Sequence, residues 1–133
     1  MTEPTVSLRE VTGSNMWPIC KLSGTLQPPQ NKAVAPNAVS ISQAHFSDSA
    51  WFRGIYAGDT PVGFMMVDAK PESSEYYLWR LMIGSEHQGN GYGRRAIELL
   101  AANIERSPGG TKLKTSCVEC DGSPEGFYTS LGF

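Results

Sequence analysis

Apolar and polar residues alternate with a period of two along several short stretches and with a helical period along one long stretch, so the chain reads as interleaved strands and helices. Thr5 to Val11 sets Val6, Leu8 and Glu10 on one face and Ser7, Arg9 and Val11 on the other, which predicts a first strand. Ser14 or Asn15 then caps a helix containing Trp17, Cys20 and Leu22, with Pro18 tolerated in its first turn and Gly24 at its end. Pro28, Pro29 and Pro36 mark residues 27 to 37 as a connection, and the spacing of Ser40 and Gln43 is that of a capping box opening a second short helix, which His45 and Phe46 finish. Trp51 to Tyr56 and Val62 to Asp68 form a hairpin across Gly58-Asp59-Thr60-Pro61. After Pro71-Glu72-Ser73-Ser74, the stretch Tyr76 to Ile83 is apolar on both faces except for Arg80, so both faces are expected to be covered. Arg80 then needs a carboxylate or several carbonyls, and a structural ion pair is expected in preference to a substrate contact.

The pattern changes at Gln88-Gly89-Asn90-Gly91-Tyr92-Gly93, which leads into a helix from about Arg94 to Arg106. In that helix Ile97, Leu100, Ala101 and Ile104 share one stripe, and Ser107-Pro108-Gly109-Gly110 stops it. A glycine-rich turn between strand and helix is an anion cradle: the backbone turns tightly, no side chain blocks a ligand, and unpaired N–H groups at the helix start point outward. Helix partial charge adds only about 0.3 to 1 kcal/mol, so it positions an anion, and Arg94 and Arg95 in the first turn can contribute more. A strand from about Lys112 to Val118 follows, and Ser123-Pro124-Glu125 opens a short helix with Phe127 and Leu131 toward the core. Antiparallel strands followed by strand, helix, strand and helix predict a mixed α/β layer.

Composition narrows the picture. The 133 residues, with a net charge of −2 and 40% hydrophobic content, fit a single soluble domain over residues 1 to 133 and not a nucleic-acid-coating or disordered chain. No apolar run has the length of a membrane span, and Met1-Thr2-Glu3-Pro4 is not the start of a basic-then-apolar leader, so the cytoplasm is the expected location. Three cysteines argue against a secreted disulfide framework. Cys117 and Cys120 have CxxC spacing, but with two histidines and no second cysteine pair no metal is expected. The glycines are not followed by Lys-Ser or Lys-Thr, as a P-loop requires, and the repeated strand–helix units of a nicotinamide fold are missing.

Gln88-Gly89-Asn90-Gly91-Tyr92-Gly93 followed by Arg94 resembles the Q/R-x-x-G-x-G/A signature of the GNAT superfamily of N-acetyltransferases, and Phe127 to Phe133 resembles its FYxxLGF motif. The segments Val34–Ser40, Pro61–Met65, Tyr77–Ile83 and Ser123–Tyr128 are similar to bacterial spermine/spermidine acetyltransferase-like members, so the resemblance spans nearly the whole chain. It implies an α+β fold with a mixed, mostly antiparallel sheet flanked by helices. It also implies acetyl-CoA in a cleft where the central strand splays from the next. Leu81, Met82 and Ile83 would offer backbone groups to the pantetheine and thioester, and amides from Gln88, Gly89, Asn90, Gly91, Tyr92, Gly93 and Arg94 would hold the pyrophosphate. Tyr128 would protonate the departing thiolate while a neutral amine attacks the thioester directly.

Two departures from the family pattern stand out. Asp121 occupies the place, seven residues before Tyr128, where the family often has asparagine, and the usual strand after the LGF motif is missing from this chain, so that either the chain is a shortened form or a partner subunit covers the edge, and a homodimer is expected. No general base is fixed by a motif; Tyr77, Ser116, Glu75 and Glu119 are candidates. A polyamine such as spermine or spermidine is the implied acceptor, for which Asp48, Glu75, Glu119 and Asp121 are candidate partners. Another amine (an amino sugar, amino acid or protein N-terminus) and a non-catalytic acetyl-CoA-binding regulator are the alternatives.

Overall fold

In the computed structural model, which describes residues 5–26, 36–70, 75–105 and 112–115, five strands lie side by side in sequence order. They are β1 (Val6–Arg9), β2 (Ala50–Ala57), β3 (Thr60–Lys70), β4 (Glu75–Ile83) and β5 (Lys112–Thr115). Helices α1 (Met16–Lys21) and α2 (Asn37–His45) fall between β1 and β2, and α3 (Tyr92–Glu105) between β4 and β5. The first four strands pair antiparallel, whereas β5 runs parallel to β4 and follows α3. This is the expected α+β arrangement, a mostly antiparallel sheet flanked by helices. No helix among the described residues is long and apolar enough to cross a membrane.

The strands alternate, and each face of the sheet carries its own core. On one face Ile55, Val62, Met65, Val67, Tyr76 and Leu78 pack with Ala96, Ile97 and Leu100 of α3. On the other, Tyr56, Phe64, Met66 and Met82 pack with Ile19, Leu22 and Leu26, around α1, and with Ala44 of α2. Phe64, Met65 and Met66 are fully buried in succession, which only a strand covered on both faces allows. The two-sided cover expected for Tyr76 to Ile83 is therefore present.

Two irregularities set the faces. The β2–β3 register steps past Val62, between the pairs Ile55–Gly63 and Tyr56–Pro61. The β3–β4 register steps past Trp79, between Met66–Arg80 and Val67–Leu78. A bulge interrupts the alternation of side chains. Leu78 thus belongs to the α3 face and Trp79 to the α1/α2 face, and beyond the bulge Leu81 and Ile83 return to the α3 face while Met82 lies opposite. Arg80 falls with Met82 and Trp79 on the α2 side, where it reaches Gln43.

Several local expectations are corrected. The Ser40–Gln43 capping box is not formed: α2 begins at Asn37, and Ser40 is buried inside it with its backbone N–H donating to the Pro36 carbonyl at 3.0 Å. The first helical amide is instead capped from outside, Asn37 N–H donating to Ser23 Oγ at 2.7 Å, because Pro36 at the cap has no side-chain oxygen to offer. Asn15 precedes α1, but its side chain closes the turn before it, accepting from Thr12 N–H and donating to the Glu10 carbonyl. Leu22 lies past the end of α1 in a short 3-10 segment, Leu22–Thr25, and the buried residue of α1 is Ile19. The α3 helix starts two residues before Arg94, at Tyr92, and its buried stripe includes Ala96 as well as Ile97 and Leu100. The predicted second half of the last strand, the helix at residues 123 to 132 and the side chain of Ile104 lie outside the described residues.

A Cβ added at Gly63 would overlap the Met82 carbonyl oxygen and approach Ile83 Cδ1 to 2.8 Å. The obstacle is backbone, which cannot swing aside, so Gly63→Ala is expected to destabilise the fold by about 1 to 3 kcal/mol through overpacking between β3 and β4. Thermal denaturation checks this, and an unchanged Tm would show that the two strands can separate at no cost.

Candidate active site

The end of β4, the turn after it and the start of α3 are contiguous, and most of the polar groups that build the turn are already spent on its own backbone. Gly84 N–H donates to the Val62 carbonyl at 2.8 Å, so the ladder to β3 extends one residue past the strand. Thr25 Oγ1 donates to the Leu22 carbonyl at 2.7 Å and accepts from Ser85 N–H at 2.9 Å, which ties the α1 side of the sheet to the turn. A 3-10 segment, Ser85–His87, follows, and Gln88 Nε2 donates to the Ile83 carbonyl at 2.9 Å while Asn90 Nδ2 donates to the His87 carbonyl at 3.0 Å. These side chains satisfy carbonyls, and a turn whose carbonyls are satisfied internally is free to turn its amides outward.

Gly89 and Gly91 have φ of 83° and 80°, in the left-handed region, and a Cβ at either would meet nothing within 4 Å. Glycine is required here by backbone conformation and not by crowding, and the space above each residue is open to a ligand. The first backbone bond of α3 runs from Arg95 N–H to the Gly91 carbonyl at 3.1 Å, so the amides before it have no intrahelical acceptor. The first turn of α3 contains no acid and carries Arg94 and, at its end, Arg95. Cations at a helix N-terminus oppose its dipole, and an anion bound there offsets both.

The residues expected to contact a cofactor divide into those the turn brings together and those it uses otherwise. Gln88, Gly89, Asn90, Gly91 and Arg94 are exposed around the turn, and Gly93 lies within the helix and not in the loop. Tyr92 turns its ring into the α3-side core and so offers a ligand its backbone alone. Leu81 and Ile83 are half-buried against that same core, Met82 is buried on the other face, and the Ile83 carbonyl accepts from Gln88. The described part of β5 pairs only with the first half of β4, from Glu75–Lys112 to Leu78–Thr115, and no described strand pairs along the outer edge of β4 from Trp79 to Ile83. Tyr128, together with Ser116, Glu119 and Asp121, lies outside the described residues.

On the α2 side of β4, Arg80 meets carbonyl oxygens, the alternative to a carboxylate, and the ion pair expected in preference is not seen among the described residues. No carboxylate among the described residues pairs with it; Nη1 donates to the Trp79 carbonyl at 3.1 Å, Nη2 to Gln43 Oε1 at 3.3 Å, and the buried Nε has no partner there. Burial pulls the guanidinium below its ordinary pKa, opposed in smaller part by Tyr77. Close by, Asn37 Nδ2 donates to the Ile19 carbonyl at 2.8 Å and lies 3.6 Å from Met82 Sδ, linking α1, α2 and β4 behind the strand that would carry the thioester. Thr25, Asn37 and Gln43 escaped the sequence reading. Each acts across at least 18 residues of chain, and no local spacing announces such a contact.

Because the space at Gly91 is open, Gly91→Ala is expected to cost the backbone alone, about 1 to 2 kcal/mol for a left-handed alanine, and to weaken acetyl-CoA binding by re-aiming the amides. A lower Tm together with a raised acetyl-CoA dissociation constant by calorimetry checks this; unchanged binding would remove the Gly91 turn from the cofactor site.

Comparison with known proteins gives this geometry a family. The model of the Acetyltransferase (GNAT) family matches residues 22–133. No curated protein matches the sequence. Among solved structures, an acetyltransferase from Thermus thermophilus superposes with a TM-score of 0.66 at 22% identity, covering 97% of this chain and 86% of that one. A ribosomal L7/L12 alpha-N-protein acetyltransferase, RimL, solved in complex with coenzyme A, superposes with a TM-score of 0.72 at 16% identity, covering 97% and 80%. An aminoglycoside acetyltransferase from an uncultured soil metagenomic sample, solved with sisomicin, gives 0.68 at 12% identity, covering 96% and 88%. At these identities the superpositions establish the fold, and the family match extends over most of the sequence. An antiparallel sheet that continues into a parallel strand through a glycine-headed helix, together with that match, makes this chain a member of the GNAT acetyltransferase family and an acyltransferase.

Proposed function

We propose that the chain moves an acetyl group from acetyl-CoA to a primary amine by direct transfer. The observation that carries this reading is the turn at Gly89 and Gly91, left-handed and open at the head of a helix whose first turn holds arginine and no acid. Acetyl-CoA, when bound, supplies an activated acyl group and a thiolate leaving group. In this reading the amides from Gln88 through Arg94 hold the diphosphate, and the backbone of Leu81, Met82 and Ile83 aligns the pantetheine along the outer edge of β4. Tyr128 donates a proton to the departing sulfur. Aligning two reactants lowers a barrier by about 7 to 11 kcal/mol in favourable cases, whereas one acid supplies about 10² to 10⁴ in rate, so the β4 edge contributes more than Tyr128.

The sequence resemblance points to a polyamine, spermine or spermidine, as acceptor. A second reading, an amine of another class such as an amino acid, amino sugar or protein N-terminus, is favoured by the cation of Arg80 on the α2 side of β4, which would repel a polycation. A cytoplasmic setting and a homodimer belong to the same proposal; a solution mass of one chain, 14.5 kDa, by light scattering would remove the dimer.

Thiol release from acetyl-CoA across spermine, spermidine, amino acids and amino sugars tests the activity. Release with at least one amine is the expected result, and acetyl-CoA binding with no release for any amine would refute the transfer. In the same assay Tyr128→Phe is expected to lower kcat by about 10² or more while leaving acetyl-CoA affinity nearly intact. An unchanged kcat would take Tyr128 out of the mechanism.

A further inference from the structure

We infer that the acceptor amine carries a carboxylate, that Arg80 binds it, and that the groove on α2 receives the acceptor's apolar body; this rests on the acetyl-transfer reading above. Arg80 stands one residue before the Leu81–Ile83 segment, turned to the α2 face by the bulge at Trp79. Its side chain is part-buried, and the ion pairs Arg9–Asp59 and Arg53–Glu10 lie elsewhere. Its hydrogen bonds go to neutral oxygens, one of them long, and Nε has none among the described residues. Among the described residues this part-buried guanidinium meets neutral oxygens and the Trp79 ring but no carboxylate, and a ligand carboxylate would supply the countercharge on binding. The planar fork of arginine suits a carboxylate in particular, because two N–H groups meet two oxygens side by side.

The neighbouring surface fits the rest of such a molecule. Gln43, which accepts from Arg80, also lines a groove of about 400 Å³ with Ala38, Val39, Ser42 and Phe46. Val39 and Phe46 are 46% and 86% exposed, apolar surface that a ligand with an apolar side chain would cover. A carboxylate that docks on Nη2 displaces only the 3.3 Å bond to Gln43, whose exposed amide returns to water at little cost. Amino acids with apolar side chains combine the three features: a primary amine, a carboxylate and an apolar body. A polyamine has neither of the last two and brings positive charge against Arg80.

The test compares L-phenylalanine with phenethylamine, and L-leucine with isopentylamine, as acceptors for the wild type and for Arg80→Met. Amine basicity differs within each pair but is common to both proteins, so the change in the ratio of kcat/KM on mutation isolates the carboxylate. The expected result is a wild-type preference for the amino acid that falls by about tenfold to a hundredfold in Arg80→Met, chiefly through KM, as for loss of a charged hydrogen bond. Arg80→Lys should restore part of it. The Tm of Arg80→Met should be unchanged or higher, since a charge without a countercharge has been removed; a fall of several degrees would assign Arg80 a structural role and overturn the proposal. An unchanged ratio, or spermidine as the preferred acceptor of both proteins, would also overturn it. If neither protein releases thiol with any amine, acetyl transfer itself fails, and calorimetric titration of the same pairs decides the Arg80 site alone. Tighter binding of the amino acid, lost in Arg80→Met, supports the site, and equal binding overturns it.

Discussion

Strand β4 is covered on both faces, and its pairing with β3 leaves it little freedom to slide. A one-residue slip in a strand with two buried faces exchanges every side chain between two cores of different shape. The bulge at Trp79 is the single permitted departure, and it occurs where the strand stops pairing with the described part of β5. From it follow the placement of Trp79 and Arg80 beside α2 and the return of Leu81 and Ile83 to the α3 side. Gly63 lets β3 approach this part of β4 closely enough to hold it, with the Met82 carbonyl in the place a side chain would need.

The turn beyond β4 is built on a different principle. Its side chains are committed inward: Gln88 to the Ile83 carbonyl, Asn90 to the His87 carbonyl, Tyr92 to the α3-side core. An ordinary helix start would carry an oxygen-bearing cap and an acid in its first turn. This one has glycine before it and arginine within it, a local arrangement that lowers stability in isolation and that an anion would offset. Local rules broken in concert at one place are a sign of a binding site.

Where short-range chemistry decides, the sequence was legible. The hairpin at Gly58-Asp59, the apolar run of β4, the stripe through Ile97 and Leu100 and the glycine turn all follow from neighbours within a few residues. Reading failed where a residue is used by a distant part of the chain. Ser40 and Gln43 have the spacing of a cap, but Ser40 is buried inside α2 and Gln43 reaches Arg80, 37 residues on. The helix they were expected to open is capped by Ser23, 14 residues before its first amide. For Arg80 the apolar strand predicts a carboxylate or carbonyls, and only the fold shows that, among the described residues, carbonyl oxygens of Trp79 and Gln43 meet it.

By itself the sequence determined the order of the described elements, the two-sided burial of β4 and the glycine turn before α3, since hydrophobic period and glycine placement act through local backbone preference. The tertiary structure decided which face each residue after the bulge presents, which polar groups cap α2, and that the Arg80 guanidinium has no countercharge among the described residues. Those outcomes depend on strand register and on partners tens of residues away, and a register shift of one residue leaves no mark on the local sequence pattern while it changes every neighbour.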